Sequence, residues 1–368
     1  MFSKTSISFA CFDIRVANRN IIKATAAAVM ALALCACEDS NTATELKIDH
    51  VSKDPDGWPR TLMTSKGPVT LTEAPSRIVS TSVTMTGTLL AIDAPVIASG
   101  GTVANTAVAD EKGFMRQWSN TASQRRLIPL YQREPDAEAI VAQNPDLILI
   151  SATGGDSARK LYDQLKSIAP TALIRYDNKS WMQLATLLGD FLGKEDNAES
   201  VIADFESKIR RFTKRAVLPP QPTTAMVYYA DGTGANIWTP QSAQGRLLNE
   251  LGFELATPPE SVKGDISMGQ RSDIIIATGE RLPDAINGQS LLLFSAEKEQ
   301  ENKVKSNTYL KDTPAVQNHA VYAVGDDTFR MDYYSASNLI SRLSRLFIEN
   351  NTPLAVSSRT EEPNNADL

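Results

Sequence analysis

The stretch Asp196-Asn-Ala-Glu-Ser-Val-Ile-Ala-Asp-Phe-Glu-Ser-Lys-Ile-Arg-Arg-Phe-Thr-Lys-Arg-Ala216 decides how the chain is organised. Its apolar residues are Ala198, Val201, Ile202, Phe205, Ile209, Phe212 and Ala216, in steps of three and four that put one stripe on one side of an α-helix. Asp196 is placed to cap the start, with Glu199 as its capping-box partner. Lys208, Arg210, Arg211, Lys214 and Arg215 crowd the end, where the helix dipole favours cations. Pro219, Pro220 and Pro222 then forbid continuation. About twenty residues at ~1.5 Å each give a rod of roughly 30 Å, the width of a small domain. Taken alone this is an ordinary amphipathic surface helix. Its flanks say more. Before it, Glu138 stands eight residues ahead of Asp146, which opens the apolar run Leu147–Ile150; after it, Asp265 stands eight ahead of Asp273, which opens Ile274–Ala277. Gly87-Thr-Leu-Leu90 is echoed by Gly245-Arg-Leu-Leu248. The repeated order suggests one α/β unit used twice. The expected fold is therefore α/β, with two Rossmann-like lobes joined by one long α-helix and a ligand cleft between them.

Working outward, residues 58–193 read as the N-terminal lobe, 194–217 as the linking helix and 218–349 as the C-terminal lobe. In the first lobe, Thr61–Thr64 and Val69–Thr72 flank a hairpin turn. Buried strands are expected near Pro75–Val79, Pro95–Ser99, Leu147–Ile150 and Thr171–Tyr176, with a helix near Thr86–Ile92. In the second, Ala225–Tyr229, Ile274–Ala277, Leu291–Phe294 and Ala320–Val324 read as strands, Ala230–Pro240 as a loop and Asn338–Phe347 as a closing amphipathic helix. Residues 350–368 are polar and proline-bearing, a disordered tail.

The N-terminus has the pattern of an export signal. Lys4, Arg15, Arg19 and Lys23 precede the short apolar run Ala24–Leu34, which is too brief to span a bilayer. Residues 1–36 are read as a signal peptide ending at Leu34-Cys35-Ala36-Cys37, which resembles a bacterial lipobox with Cys37 as the lipidated residue. Cys35 fits less well, because Leu34 precedes it. Ordinary cleavage near Ala31-Leu-Ala33, giving a soluble chain, is the alternative. Cleavage before Cys37 removes four basic residues and one acidic one, taking the formal charge from −6 to −9. Residues 37–57 read as a flexible tether.

The acidic balance argues against a nucleic-acid binder. With only His50, His319 and the cysteines Cys11, Cys35 and Cys37, a histidine or thiolate metal site lacks raw material, and no resident cofactor is expected. No serine–histidine pairing recommends catalysis, since only His319 lies in the lobes, far from any elbow-type serine. The turn Ser151-Ala-Thr-Gly-Gly-Asp-Ser157 lacks both the P-loop lysine and the dinucleotide glycine spacing, so it reads as a cleft-lining turn. Arg330 leaves the last strand at its carboxyl end, where open α/β sheets bind ligands. Trp238 and Trp181 stand in comparable places on the two lobes. A tryptophan is most often core and a lone arginine most often a surface charge. Together in a cleft they suit an anionic aromatic ligand, since guanidinium pairs with its charge and indole stacks on its rings.

Several runs resemble the ferric-enterobactin-binding proteins of bacterial siderophore ABC importers, within the iron/cobalamin binding-protein family. They are Arg77–Thr84, Leu89–Gly100, Pro145–Ser157, Ala315–Asn318, Trp238-Thr-Pro240 and Thr328–Ala336. The resemblance extends from Trp58 to Phe347. It implies a monomeric class III periplasmic binding protein, not an enzyme, in the periplasm and tethered to a membrane through lipidated Cys37. Its partners would be a ferric siderophore and an inner-membrane ABC permease with a cytoplasmic ATPase. The siderophore supplies every iron ligand itself. Carried over residue by residue, Arg330 and Trp238 match ligand contacts and Arg116 follows within the matching run Gly113–Trp118, while Trp181 is a ligand-binding candidate from its place on the first lobe alone. Ala107 replaces a basic residue, leaving one charge fewer. Glu138, and Asp265 as a shorter acid, fit the permease contacts. Binding of another iron chelate (hydroxamate, citrate or haem), a periplasmic siderophore hydrolase and a ligand sensor are the alternatives.

Overall fold

A computed structural model describes residues 49–229, 231–262 and 272–349. The expected signal peptide, Cys37, Asp265 and the C-terminal tail lie outside the described residues. Along the chain, one five-stranded sheet precedes the long helix and another follows it, with a small antiparallel sheet at the start. That small sheet comprises β1 (His50–Lys53), β2 (Arg60–Thr64) and β3 (Gly67–Leu71). The polar stretch read as a tether therefore already contains a strand. Val51 opposite Leu62 and Ser52 opposite Thr61 supply a ladder that composition alone hid.

The first lobe holds β4 (Ile78–Ser80), β5 (Val96–Gly101), β6 (Ile128–Gln132), β7 (Leu147–Ser151) and β8 (Thr171–Ile174), in the order β6-β5-β4-β7-β8, with every pairing parallel. β4, β7 and β8 are buried at every residue, as a sheet covered on both faces requires. The second lobe holds β9 (Thr223–Tyr228), β10 (Gly234–Trp238), β11 (Ile274–Thr278), β12 (Ser290–Leu293) and β13 (Val321–Ala323), in the order β11-β10-β9-β12-β13. Here β10 runs antiparallel to both neighbours. The segment 230–240, expected to be a loop, thus contains a strand with Trp238 at its end. The lobes share an architecture, but the sequence echo misaligns them. β7, opened by Asp146, is internal to its sheet, while β11, opened by Asp273, is an edge strand. Asp146 accepts from the backbone N–H groups of Ser76 and Arg77, whereas Asp273 lines the space between the lobes.

The linking helix runs Glu195–Arg215. Lys194 stands at its N-cap with no side-chain cap, so the expected Asp196–Glu199 capping box is absent and Asp196 lies inside the first turn. The preceding helix, Trp181–Leu192, ends at Gly193 with φ of +70°, a left-handed cap that suits glycine. A Cβ there would also lie 2.9 Å from the Trp58 ring. So short a link leaves no room for a separate capping residue. Glu195 is instead bonded by Arg60 at 2.6 Å and Lys53 at 2.9 Å. Burial works to raise its carboxyl, but these hydrogen bonds and the helix backbone outweigh it and hold the group down at about 2.

The apolar stripe of this helix faces both lobes. Phe205 meets Trp181 edge-on, with centroids 4.9 Å apart, and Phe212 stacks on Phe253 at 6.4 Å. The final helix, Tyr333–Ser344, begins five residues before the expected start because Asp332 caps it and forms a capping box with Ser335. It packs against the linking helix and against two first-lobe helices, Val83–Ala91 and Arg116–Gln124. One hydrophobic cluster consequently runs without a break from Leu89 and Phe191 through Phe205 and Phe212 to Trp238, Phe294 and Phe347.

Candidate functional site

The carboxyl ends of strands from both lobes converge on a cavity of about 260 Å³. Thr84, the Gly154-Gly155 turn, Tyr176, Lys179 and Trp181 line it from the first lobe; Asn236, Trp238, Gln244, Phe329 and Arg330 line it from the second. Trp238 is delivered by the end of β10 and tilts against Phe329, centroids 5.8 Å apart. Trp181 opens its helix under a Ser180 cap and leans on Tyr333 at 5.6 Å. Both indoles are almost fully buried, and their Nε1–H groups have no acceptor among the described residues. Buried donors normally find a partner. Gln244 fixes the loop that carries Arg330 by donating to the Phe329 carbonyl at 2.6 Å.

Arg330, Trp238 and Trp181 are thus brought together. Arg116 is not. Its guanidinium forks onto the Thr106 carbonyl at 3.0 and 2.8 Å on an exposed loop, the loop that also carries exposed Ala107, and its charge reaches Asp326 of the second lobe. The cleft's second cation is Lys179, two residues before Trp181, which the sequence reading missed. Each cation already has an internal anion: Asp156 lies 3.6 Å from Arg330, and Asp49 2.5 Å from Lys179. Tyr176 is pushed up to about 12, chiefly by burial and then by Asp156, to which it donates at 3.0 Å. It is a neutral phenol in the cleft wall.

Glu138 stands exposed in the first turn of the short helix Ala137–Val141, capped by Asp136, with its carboxylate free to face a partner. Asp265 cannot be compared, lying outside the described residues. Among those residues, no group of three or more His, Cys, Asp or Glu side chains is arranged to hold a metal ion.

Two α/β lobes on a helical spine, with an aromatic cleft that carries paired charges between them, define a bilobal substrate-binding protein of the class III fold. The sequence pattern of the periplasmic binding protein family matches residues 78–328, and the chain belongs to that family. It is 54% identical over 290 residues to the ferric enterobactin-binding periplasmic protein FepB of Escherichia coli O6:H1, covering 79% of this chain and 91% of that one. It is 28% identical over 206 residues to the probable siderophore-binding lipoprotein YfiY of Bacillus subtilis, covering 53% of this chain and 60% of that one. Among solved structures, holo-ViuP superposes with a TM-score of 0.72 at 34% identity, covering 79% of this chain and 96% of that one. The triscatecholate siderophore-binding protein FeuA of Bacillus subtilis, complexed with ferri-bacillibactin, shares the fold at a TM-score of 0.57 and 16% identity, covering 77% and 96%. FepB, YfiY and FeuA are named as binding proteins.

Proposed function

We propose that this chain captures a ferric catecholate siderophore, ferric enterobactin or a close analogue, in the cleft between its lobes and delivers it to an inner-membrane ABC permease. The observation that carries the reading is the convergence of Arg330 with Trp238, Phe329 and Trp181 at one cavity. A ferric triscatecholate is a trianion with flat faces. Guanidinium and indole groups answer both properties. The iron is cargo, enclosed by the ligand, so the protein need offer it no side chain. The similarity to FepB supports the same ligand class. The protein acts in the periplasm as a monomer, anchored through lipidated Cys37, and Glu138 and Asp265 are its permease contacts.

Tryptophan fluorescence tests this directly, because two indoles line the cavity. Ferric enterobactin should quench saturably at micromolar concentration or below, and ferric hydroxamate, citrate and haem should fail to displace it. Arg330→Ala should weaken binding by ~1.5–3 kcal/mol, the value of a charge-assisted contact. Absence of saturable quenching would defeat the reading. Preferential binding of one of the competitors would redirect it to that chelate.

A further inference from the structure

Asp156 leaves the glycine turn after β7 and lies against the N-terminus of the Val83–Ala91 helix. Its Oδ2 accepts from Ser82 Oγ at 2.5 Å, Thr84 Oγ1 at 3.0 Å and Thr84 N at 3.3 Å, while Oδ1 accepts from Tyr176 OH at 3.0 Å. All of these donors belong to the first lobe. Across the cleft comes Arg330, whose Nη1 lies 3.6 Å from Asp156 Oδ2 and donates to Thr84 Oγ1. The Asp156 side chain is only 10% exposed and the Arg330 side chain 24%. The carboxylate is therefore fixed by four hydrogen bonds and a helix N-terminus, which favours negative charge. The guanidinium is held more loosely, since its carboxylate contact exceeds hydrogen-bond length. Among the described residues it bonds through Nη1 alone, which leaves most of its five donors for a guest.

We infer that Asp156 is a tethered stand-in for the anionic guest: it holds Arg330 across the cleft, competes with the ligand for that guanidinium, and so sets how far the affinity for an anionic ligand is held down. The inference rests on the binding reading above. A monoanion or a neutral chelate gains little by drawing Arg330 away from a carboxylate that is already in place. A trianion gains enough to do so, yet still feels Asp156 from behind the guanidinium. Asp156 thus lowers the affinity of every anionic ligand that takes Arg330, most for the most highly charged, and leaves a neutral chelate unaffected, which keeps the affinity for the trianion below its ceiling and the complex releasable. It also ties the lobes together when the cleft is unliganded.

Calorimetric titration of ferric enterobactin and of a neutral ferric trihydroxamate into wild-type protein and Asp156→Asn tests this. Asparagine keeps an acceptor for Ser82 and Thr84 and removes the charge. The variant should bind the trianion about tenfold tighter, the size of an ordinary coupling between charged sites, and the gain should shrink at high salt, where the pair is screened. Equal or weaker binding of the trianion would overturn the proposal, because Asp156 would then be a residue that positions Arg330 in the complex. A second measurement needs neither that variant nor a ligand. Arg330→Gln strands the Asp156 carboxylate, so the free protein should melt several degrees lower than wild type. An unchanged melting temperature would remove the tie between lobes. Failure of wild-type protein to bind ferric enterobactin would instead defeat the functional reading, and the melting comparison would still judge the tie.

Discussion

At the scale of single residues, the cleft is built from charged side chains whose partners come from distant parts of the chain. Arg330 was readable because it follows a strand, where α/β sheets present ligand-binding groups, and Trp238 because it was expected in a loop, although it ends strand β10 itself. Their internal counterparts were not. Asp156 and Arg330 are 174 positions apart, and Asp49 and Lys179 are 130 apart, so no local pattern announces either pair. Asp332 is the other residue whose environment only the fold reveals. It caps the last helix at the junction of the lobes, accepting from Tyr334 N and Ser335 N at 2.9 Å and from Gln117 Nε2 of the first lobe at 3.2 Å. Burial pushes its carboxyl up to about 6, more than these hydrogen bonds lower it. Between the unfolded value near 3.8 and about 6, the folded protein retains a proton that the unfolded chain has lost. The group is therefore least unfavourable below that window, and stability falls as pH rises through it, by roughly 3 kcal/mol in total. Asp332→Asn keeps the cap but cannot titrate. The difference in urea midpoint between wild type and this variant should change steadily from pH 4 to pH 6 and level off above. A flat difference would mean that Asp332 ionises as freely as an exposed carboxyl.

At the scale of elements, the runs that became β4, β7, β8 and β12 could be read because each has a short apolar core with a hydroxyl residue at one end. β6 and β10 could not. β6, Ile-Pro-Leu-Tyr-Gln, carries a proline that only an edge strand tolerates. β10, Gly-Ala-Asn-Ile-Trp, has too little alternation to signal a strand and owes its place to the ladders on both sides. The linking helix was the clearest element, because twenty-one residues repeat one stripe. Its cap was misread because tertiary partners, Arg60 and Lys53 on Glu195, replaced the local one. The stripe also supports the binding site. Phe205 is fully buried and braces Trp181, a wall of the cleft. Phe205→Ala should cost about 3–5 kcal/mol of stability, the usual range for a buried phenylalanine. It should also weaken ligand binding, because Trp181 loses its edge-on support. Ser200→Ala, at an exposed position of the same helix, should leave both unchanged. Chemical denaturation beside a fluorescence titration distinguishes the two sites, and equal effects would mean that the stripe does not reach the cleft.

At the scale of the whole molecule, the joint between the lobes determines how the protein can signal that it is loaded. A hinge protein joins its lobes by flexible crossings and closes like a jaw. Here the linking helix is packed along both lobes. The final helix lies against it and against the first lobe, and one hydrophobic cluster passes through all three. Gly87 shows how close the approach is: a Cβ on it would lie 2.3 Å from Asp332 Oδ2 across the lobe boundary and 2.9 Å from Trp118. Opening the cleft widely would expose this shared core at about 25 cal/mol for each Å² of apolar surface, a penalty that rises with every degree of rotation. Ligand capture should accordingly proceed by local exchange, with Arg330 moving from Asp156 to the guest and aromatic walls adjusting, while the lobes stay in place. Small-angle scattering checks this. A compact body of roughly 300 residues should have a radius of gyration of about 19 Å, and saturation with ferric siderophore should leave it unchanged within error. Gly87→Ala, which wedges the lobes apart, should destabilise the free protein by about 1–3 kcal/mol and raise the radius slightly in the free state. A clear contraction of the wild-type protein on loading would show instead that the shared core yields and that the lobes close on their guest.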